Sequence, residues 1–288
     1  MVDLLAVVWD FNPTLFNIGS LDIRYYGAMW ALALLLGGWI FSYFCKREGK
    51  SQELADSAFL YIALGTIIGA RLGHCLFYDP VYYLPRPWTM ITEIRDGGLA
   101  SHGATIGILI AIWLCSRKNR VSPLWMTDRL VIIASICGAL IRLGNLFNSE
   151  IVGRVTDVPW GFKFVRLYPN VPIEAVPVQH PTQIYEALCY VLTFIVLWWL
   201  YMRTDAPKRR GLLFGAGLIG IFLTRFFIEF IKVEQEAFEK GMLLNMGQLL
   251  SIPFILFGAF MIWYAMKRPP VEDDAERGAA KGKHKNGK

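Results

Sequence analysis

The stretch MTDRLVIIASICGALIRLGNLF, residues 126–147, contains an apolar run that ends in polar and charged residues. A helix of this length is long enough to cross the ~30 Å hydrocarbon core of a bilayer. Comparable runs recur along the chain, so the sequence predicts an all-α polytopic membrane protein with seven transmembrane helices. The predicted spans are residues 26–44, 56–78, 100–116, 126–147, 183–202, 211–231 and 246–266.

The composition supports a membrane protein and argues against other classes. Of the 288 residues, 55% are hydrophobic and only 18% are charged, whereas a soluble domain has about 25% charged residues. The net charge of +6 does not indicate nucleic-acid binding, because basic residues normally flank membrane helices. The five cysteines form no CxxC pair, so we predict packed thiols, no metal site and no cofactor.

The distribution of lysine and arginine predicts the orientation. The loops after the first, third and fifth spans are shorter and richer in these residues than the other loops, and Lys267 and Arg268 follow the seventh span, so this side is predicted to be cytoplasmic. The N-terminus is then outside (periplasmic) and the C-terminus cytoplasmic. We expect residues 1–25 to form a periplasmic or interfacial segment, with a short surface helix. Residues 26–267 form the membrane domain, residues 148–182 form its periplasmic cap loop, and residues 268–288 form a disordered charged tail.

Polar side chains occur at the outer end of every predicted span. Arg142 and Asn145 are three residues apart, so they share one helical face, and Arg225 and Glu229 are one turn apart. The other polar residues at this depth are Tyr26, Arg71, His74, His102, Gln183, Glu186, Asn245 and Gln248. Because an ionisable residue at membrane depth costs ~2.5–3.5 kcal/mol, we expect a shared, wet cavity lined by protein. Three arginines would make it suitable for an anion such as a lipid phosphate.

Each of these residues also has a purely structural interpretation. Arg225 and Glu229 could form an ion pair within one helix, and Arg71 could pair with Glu186 or Glu229. His74 fits a packed histidine, and His180 fits a cap before the fifth span. Tyr25 and Tyr26 fit the aromatic belt of a membrane helix. His102 favours a functional role, because the small residues around it leave room for a substrate.

The sequence at the end of the fourth span resembles the signature of the prolipoprotein diacylglyceryl transferase family. The matching residues are Arg142, Gly144, Asn145, Asn148, Glu150 and Gly153, and further similar motifs are SHGA at His102, Tyr26-Gly27, HPTQIYEA from His180, and Arg225 with Glu229. The chain departs from the pattern at Ile141, Leu146 and Ile221. The similarity extends from about residue 20 to residue 266.

This resemblance implies an enzyme of the bacterial inner membrane with its active site facing the periplasm. The reaction implied is transfer of a diacylglyceryl group from phosphatidylglycerol to the lipobox cysteine of a prolipoprotein, with release of glycerol phosphate. We expect His102 to act as the base that forms the thiolate, and Arg142 and Arg225 to stabilise the leaving phosphate. The expected substrate-binding residues are Arg142, Asn145, Tyr26, Glu150, Gly153, Glu229, Asn148 and Arg71.

Two other functions are compatible with an outer anionic-ligand site. A transporter or flippase for an anionic lipid or solute would place polar groups along the whole path, including the inner half of the membrane, where the sequence has no comparable groups. A non-catalytic lipid-binding scaffold would need the arginines but would tolerate the loss of His102.

Overall fold

The described part of the chain is mostly helical, with five short strands outside the long helices. The computed structural model describes residues 6–19, 21–93, 98, 100–233 and 241–271. The helices are α1 (Tyr25–Arg47), α2 (Gln52–Phe77), α3 (Pro80–Tyr83), α4 (Thr89–Thr92), α5 (Ser101–Lys118), α6 (Pro123–Phe147), α7 (Thr182–Arg203), α8 (Leu212–Ile228) and α9 (Met246–Lys267). The strands are β1 (Val7–Trp9), β2 (Thr14–Ile18), β3 (Leu21–Arg24), β4 (Phe162–Phe164) and β5 (Val178–Gln179).

A helix forms at each of the seven predicted spans, within a few residues of the predicted bounds. Among the described residues, six helical segments are long and apolar enough to cross a membrane: Tyr25–Arg47, Gln52–Phe77, Pro123–Phe147, Thr182–Arg203, Leu212–Ile231 and Met246–Lys267. Helix α5, predicted as the third span, is not among them, because polar residues at its start and polar and basic residues at its end leave only a short apolar run between them. The structure therefore establishes a protein with several apolar helices of membrane-spanning length.

The N-terminal segment differs from the sequence prediction. The expected surface helix is wrong, because residues 7–9 form β1, which pairs in parallel with β4 of the cap loop. Strand β4 pairs antiparallel with β5, and β2 and β3 form an antiparallel hairpin directly before α1. The strand is favoured because Trp9 packs on Phe162 of β4, with ring centroids 5.6 Å apart. The predicted disordered tail lies outside the described residues from 272 onward.

The chain divides into two compact units, Met1–Gly37 with Leu130–Lys288, and Gly38–Arg129. In the first unit, the end of α8 continues as a 3₁₀ turn over Glu229–Ile231. Helix α9 begins with a capping box, in which the Asn245 side chain accepts from the backbone N–H of Gln248 at 2.9 Å and the Gln248 side chain accepts from the backbone N–H of Asn245 at 3.0 Å. Asn245 Nδ2 also donates to the carbonyl of Glu229 at 3.5 Å, so the start of α9 contacts the residue at which the 3₁₀ turn begins.

In the second unit, α2 and α5 are in direct backbone contact along a seam of glycines. The seam consists of Gly65, Gly69, Gly73, Gly103 and Gly107. A Cβ atom added at Gly103 would collide with the backbone oxygen of Gly69, and one added at Gly69 would lie 2.9 Å from Cα of Gly107. Small residues of this kind let helices pack closely without side chains between them. The seam fixes the first turn of α5, where His102 lies.

Candidate active site

The signature residues at the end of α6 form one hydrogen-bonded turn. Arg142 Nη1 donates to Asn145 Oδ1 at 3.1 Å, and Asn145 Nδ2 donates to Glu150 Oε2 at 3.2 Å. Asn148 Nδ2 donates to Glu150 Oε1 at 2.9 Å. Four of the residues predicted to bind substrate are therefore linked, although Glu150 itself is exposed. The two amides hold the Glu150 carboxylate and leave it open to solvent or ligand.

The backbone of this turn is strained and is held from outside. Ser149 and Ile151, on either side of Glu150, have positive φ angles of 57° and 58°, which cost side-chain-bearing residues of order 1–3 kcal/mol. Gln183 Nε2 donates to the carbonyl of Glu150, and Thr182 Oγ1 donates to the carbonyl of Ile151 at 2.7 Å. The start of α7 therefore stabilises the strained turn.

Gly153 is required by close approach of the backbone to the segment before α7. Its N–H donates to the carbonyl of His180 at 2.9 Å. A Cβ atom at this position would lie 2.5 Å from Cβ of His180 and 2.8 Å from its carbonyl oxygen. Gly153 therefore shapes the site because it has no side chain, and its backbone can approach His180 closely.

Four charged residues form a buried chain of ion pairs next to the turn. Glu186 Oε2 lies 2.8 Å from Arg142 Nε, and Glu186 Oε1 lies 3.0 Å from Lys232 Nζ. Lys232 Nζ also lies 3.0 Å from Glu229 Oε2. Glu186 is fully buried, and Lys232 is 2% exposed. The two carboxylates and two cations balance, so the chain of ion pairs is neutral as a whole.

Lys232 is a site residue that the sequence analysis missed, because it looks like an ordinary basic residue flanking a span. The signal was its spacing from Glu229. In the 3₁₀ turn Glu229–Ile231, side chains three residues apart lie directly above one another, which brings Glu229 to Lys232. The backbone of Lys232 is also held, since Arg154 Nε donates to its carbonyl at 3.1 Å and Gly153 and Lys232 form an antiparallel bridge.

Replacing Lys232 with methionine is expected to destabilise the fold, because the Glu186 and Glu229 carboxylates would then lack their shared cation. Breaking a buried pair in this way costs about 3–5 kcal/mol. Chemical denaturation in detergent would measure the loss. The control is Asp205→Asn, which removes an exposed pair of the same i,i+3 spacing, Asp205 with Lys208 at 3.2 Å, and should change the unfolding free energy by less than ~1 kcal/mol. Equal effects of the two variants would contradict the assignment.

Arg225 does not form the intrahelical ion pair that the sequence allowed, because Lys232 takes the Glu229 carboxylate. Within the described part of the chain, Arg225 has no ion-pair partner, and its buried Nε has no hydrogen-bond partner. Three other buried side-chain atoms there share this lack: Ser149 Oγ, Gln183 Oε1 and Glu186 Oε2, although the last keeps its ion pair with Arg142. Such atoms are rare in folded proteins. All four belong to residues of this one site, which indicates a ligand position.

Tyr26 packs against the same part of α6. It is half-buried at the start of α1, and a Cβ atom at Gly144 would lie 2.9 Å from its ring. The neighbouring Tyr25 stacks on Phe147 with ring centroids 4.7 Å apart. Tyr25 is thus part of an aromatic cluster above α6, and Tyr26 contacts the helix one turn before the signature turn.

In the second unit, Arg71 is committed largely to backbone carbonyls. It is 4% exposed; its Nε donates to Met90 O at 2.7 Å, and its Nη atoms donate to Gly98 O and Thr89 O, both at 3.3 Å. These bonds hold the segment around α4. His102 is exposed in the first turn of α5, with its ring centroid 6.3 Å from that of Tyr78.

His180 takes part in a hydrogen-bonded chain with two aromatic residues. Trp160 Nε1 donates to Tyr185 Oη at 2.8 Å. The Tyr185 hydroxyl is then free to donate to His180 Nδ1, which lies 3.2 Å away. This arrangement requires neutral His180, and burial lowers the pKa of its imidazole, opposed by the charge of Asp157.

The lowered pKa of His180 predicts a loss of stability in mild acid. Above the ordinary histidine value of about 6.5, the imidazole is neutral whether the chain is folded or unfolded. As the pH falls below that value, the unfolded chain binds a proton more readily than the folded chain, so stability decreases. Melting temperatures at about pH 7.5 and pH 5.5 would show a larger drop for the parent protein than for His180→Gln. The same drop in both would remove His180 as the cause.

Among the described residues, no group of three or more His, Cys, Asp or Glu side chains could hold a metal ion. The part of the chain that the structure describes also has an apolar groove. This groove of about 440 Å³ lies between α7 and α8, and its lining includes Leu192, Val196, Leu223, Thr224 and Ile228.

Comparison with known proteins finds relatives over nearly the whole chain. The family model for prolipoprotein diacylglyceryl transferase matches residues 13–264. The phosphatidylglycerol–prolipoprotein diacylglyceryl transferase of Porphyromonas gingivalis is 50% identical over 276 residues, covering 91% of this chain and 96% of that protein. Proteins of the same name from Bacteroides fragilis and Chloroherpeton thalassium are 42% identical over 280 residues and 41% identical over 267 residues. They cover 93% and 92% of this chain, and 99% and 97% of their own length.

Proposed function

The chain belongs to the prolipoprotein diacylglyceryl transferase family, and we propose that the buried polar cluster on α6, α7 and α8 is where it performs that family's reaction. The enzyme transfers the diacylglyceryl group of phosphatidylglycerol to a prolipoprotein. The acceptor is the thiol of the lipobox cysteine. Its sulfur forms a thioether with the glycerol carbon, the carbon–oxygen bond to phosphate breaks, the thiol proton passes to a base, and glycerol phosphate leaves.

The observation that carries the site assignment is the unpaired Arg225 beside a neutral set of ion pairs. Arg142 and Lys232 are balanced by Glu186 and Glu229, so Arg225 is left with uncompensated positive charge. A phosphate would supply the missing anion and could accept two hydrogen bonds from the guanidinium. The phosphate gains charge as the carbon–oxygen bond breaks, so a preorganised arginine stabilises the transition state more than the bound lipid.

The other predicted residues receive distinct roles in this proposal. Arg142 adds a second positive group near the phosphate while Glu186 orients it. Asn145 and Asn148 hold Glu150, and Glu229 orients Lys232. Tyr26 and Gly153 shape the site by packing, and Arg71 supports the segment around α4 without binding lipid directly. The groove between α7 and α8 suits an acyl chain of the donor.

His102 is the proposed base on chemical grounds. A free thiol has a pKa of about 8.5 and is mostly protonated at neutral pH, whereas the thiolate is the nucleophile. Imidazole is the side chain best suited to exchange a proton in this range. His102 is exposed and therefore available to a peptide substrate.

The enzyme is a multi-pass protein of the bacterial inner membrane. We propose the finer topology from the basic loops. Helix α5 also crosses the membrane, as the third of seven spans. The N-terminus is periplasmic, and the active site faces the periplasm. The location of the signature turn at the end of α6 opposite the basic inner loops supports this orientation. The test introduces a cysteine by Asp157→Cys in the cap or by Asn119→Cys after α5. A thiol reagent that does not cross the membrane should label intact cells only at position 157.

The activity itself is tested with the purified enzyme, phosphatidylglycerol and a lipobox peptide. Mass spectrometry should detect the peptide with an added diacylglyceryl group, and a coupled assay should detect an equal amount of glycerol phosphate. A peptide with serine in place of the lipobox cysteine is the control and should gain nothing. A folded enzyme that binds the lipid but forms no adduct would contradict the proposal and favour a transporter or a scaffold.

A further inference from the structure

The signature turn has a second set of unpaired polar atoms that a phosphate cannot satisfy. Ser149 is 1% exposed and Gln183 is fully buried, yet Ser149 Oγ and Gln183 Oε1 have no hydrogen-bond partner in the described chain. Both residues adjoin Glu150. Ser149 precedes it in the chain, and Gln183 Nε2 donates to its carbonyl. Leaving a buried polar atom unpaired costs about 1–3 kcal/mol, so these atoms point to a polar group of a ligand.

The chemistry of the turn restricts what that group is. An amide oxygen only accepts hydrogen bonds, and the nearby Glu150 carboxylate also only accepts. A phosphodiester carries no proton to donate, so this part of the site would repel it. The turn therefore suits a group with O–H donors. Ser149, which can both donate and accept, is compatible with a hydroxyl in either orientation.

The site as a whole thus has a cationic end and an acceptor end. Arg225 and Arg142 provide the first, and Ser149, Gln183 and Glu150 provide the second. A glycerol phosphate headgroup has the same two parts, a phosphate and a pair of hydroxyls. The positive φ angles of Ser149 and Ile151 hold the acceptor end in a conformation that the chain alone would not favour.

We propose that Ser149 and Gln183 bind the terminal hydroxyls of the glycerol headgroup and thereby select phosphatidylglycerol over anionic lipids without such hydroxyls. This inference rests on the proposed transferase function. It assigns headgroup selection to residues outside the arginines, which bind any phosphate. A site built to bind a substrate hydroxyl discriminates strongly against an analogue that lacks it, because the protein atoms are then left unpaired.

The test compares two donor lipids, phosphatidylglycerol and phosphatidylpropanol, which has the same phosphodiester but no headgroup hydroxyls. The parent enzyme is expected to prefer phosphatidylglycerol by about 100-fold in kcat/KM, about tenfold for each of the two protein atoms left unpaired. Ser149→Ala removes an atom that has no protein partner, so folding should be unaffected. This variant should lose about tenfold in kcat/KM with phosphatidylglycerol and be unchanged with phosphatidylpropanol. Gln183→Met should reduce the preference further and should also lower the rates with both lipids, because Gln183 Nε2 supports the Glu150 carbonyl.

Thr182→Val is the matched control, because Thr182 Oγ1 supports the same turn through Ile151 but is not an unpaired atom. It should lower the rates with both lipids equally. The proposal is overturned if Ser149→Ala behaves like Thr182→Val, if the parent enzyme does not distinguish the two lipids, or if Ser149→Ala raises KM only for the peptide. A parent enzyme inactive with phosphatidylglycerol would instead contradict the transferase function, so the two failures are distinguishable.

Discussion

Arg225→Ala is expected to reduce diacylglyceryl transfer by about a thousandfold without lowering the melting temperature. The activity falls because the guanidinium that would bind the phosphate is gone, while the peptide still binds. Stability is retained because the buried Nε of Arg225 has no partner in the described structure, and removing a half-buried charge that lacks an ion-pair partner breaks no ion pair and relieves part of a desolvation cost. Transfer kinetics and thermal unfolding in detergent, measured on the same preparation, check both parts.

Two variants sharpen this prediction. Arg142→Ala should also lose activity, but it should lower the melting temperature, because Glu186 would lose its 2.8 Å ion pair. Arg225→Lys keeps the charge and loses the bidentate geometry, so its activity should fall between those of the parent and Arg225→Ala. A strongly destabilised Arg225→Ala protein would show that Arg225 has a structural partner and would undermine the phosphate assignment.

His102→Gln is expected to reduce kcat by about 10²–10⁴-fold, the usual contribution of general base catalysis, while lipid binding is retained. Glutamine is similar in size and can form hydrogen bonds, but it cannot take up the thiol proton. The decisive measurement uses a lipobox peptide with selenocysteine in place of cysteine, because a selenol is already ionised at neutral pH. If His102 removes the proton, this peptide should restore most of the rate of His102→Gln.

The same selenocysteine peptide should give no rescue of Arg225→Ala, whose defect concerns the leaving group. This pair of variants separates activation of the nucleophile from stabilisation of the phosphate. Transfer by His102→Gln at the parent rate, with the ordinary cysteine peptide, would eliminate His102 as the base. Loss without rescue would assign His102 to binding or positioning.

The sequence predicted the helices and much of the candidate site, and the errors have physical causes. Long apolar runs placed a helix at all seven positions, and the Arg142–Glu150 pattern pointed to residues that do contact one another. The spacing could not show that Glu186 links Arg142 to Lys232, because that link joins α6, α7 and the residue after the 3₁₀ turn, which are distant from one another in the sequence. The N-terminal strand was missed because β1 depends on β4, which is more than 150 residues away in the chain.

Arg225 illustrates a further limit of sequence patterns. Arg225 and Glu229 have the spacing of an i,i+4 ion pair, and this local pairing was a reasonable alternative. The 3₁₀ turn after α8 instead brings Lys232 to Glu229. Lys232, three residues after Glu229, therefore takes the carboxylate that Arg225 would otherwise bind. Helical periodicity alone does not predict this outcome.

The glycine seam between α2 and α5 has a consequence for conformational entropy. Ordering a long side chain at a helix interface costs up to about 2 kcal/mol in lost rotamer freedom, whereas glycine has no rotamers to lose. The entropic cost of a glycine is the loss of backbone freedom, and it is incurred when the helix forms. Helices α2 and α5 meet through their backbones at Gly69 and Gly103. A change of side-chain rotamer at these positions therefore cannot loosen the contact. His102 adjoins Gly103, so its position is set during folding and need not be acquired when substrate binds.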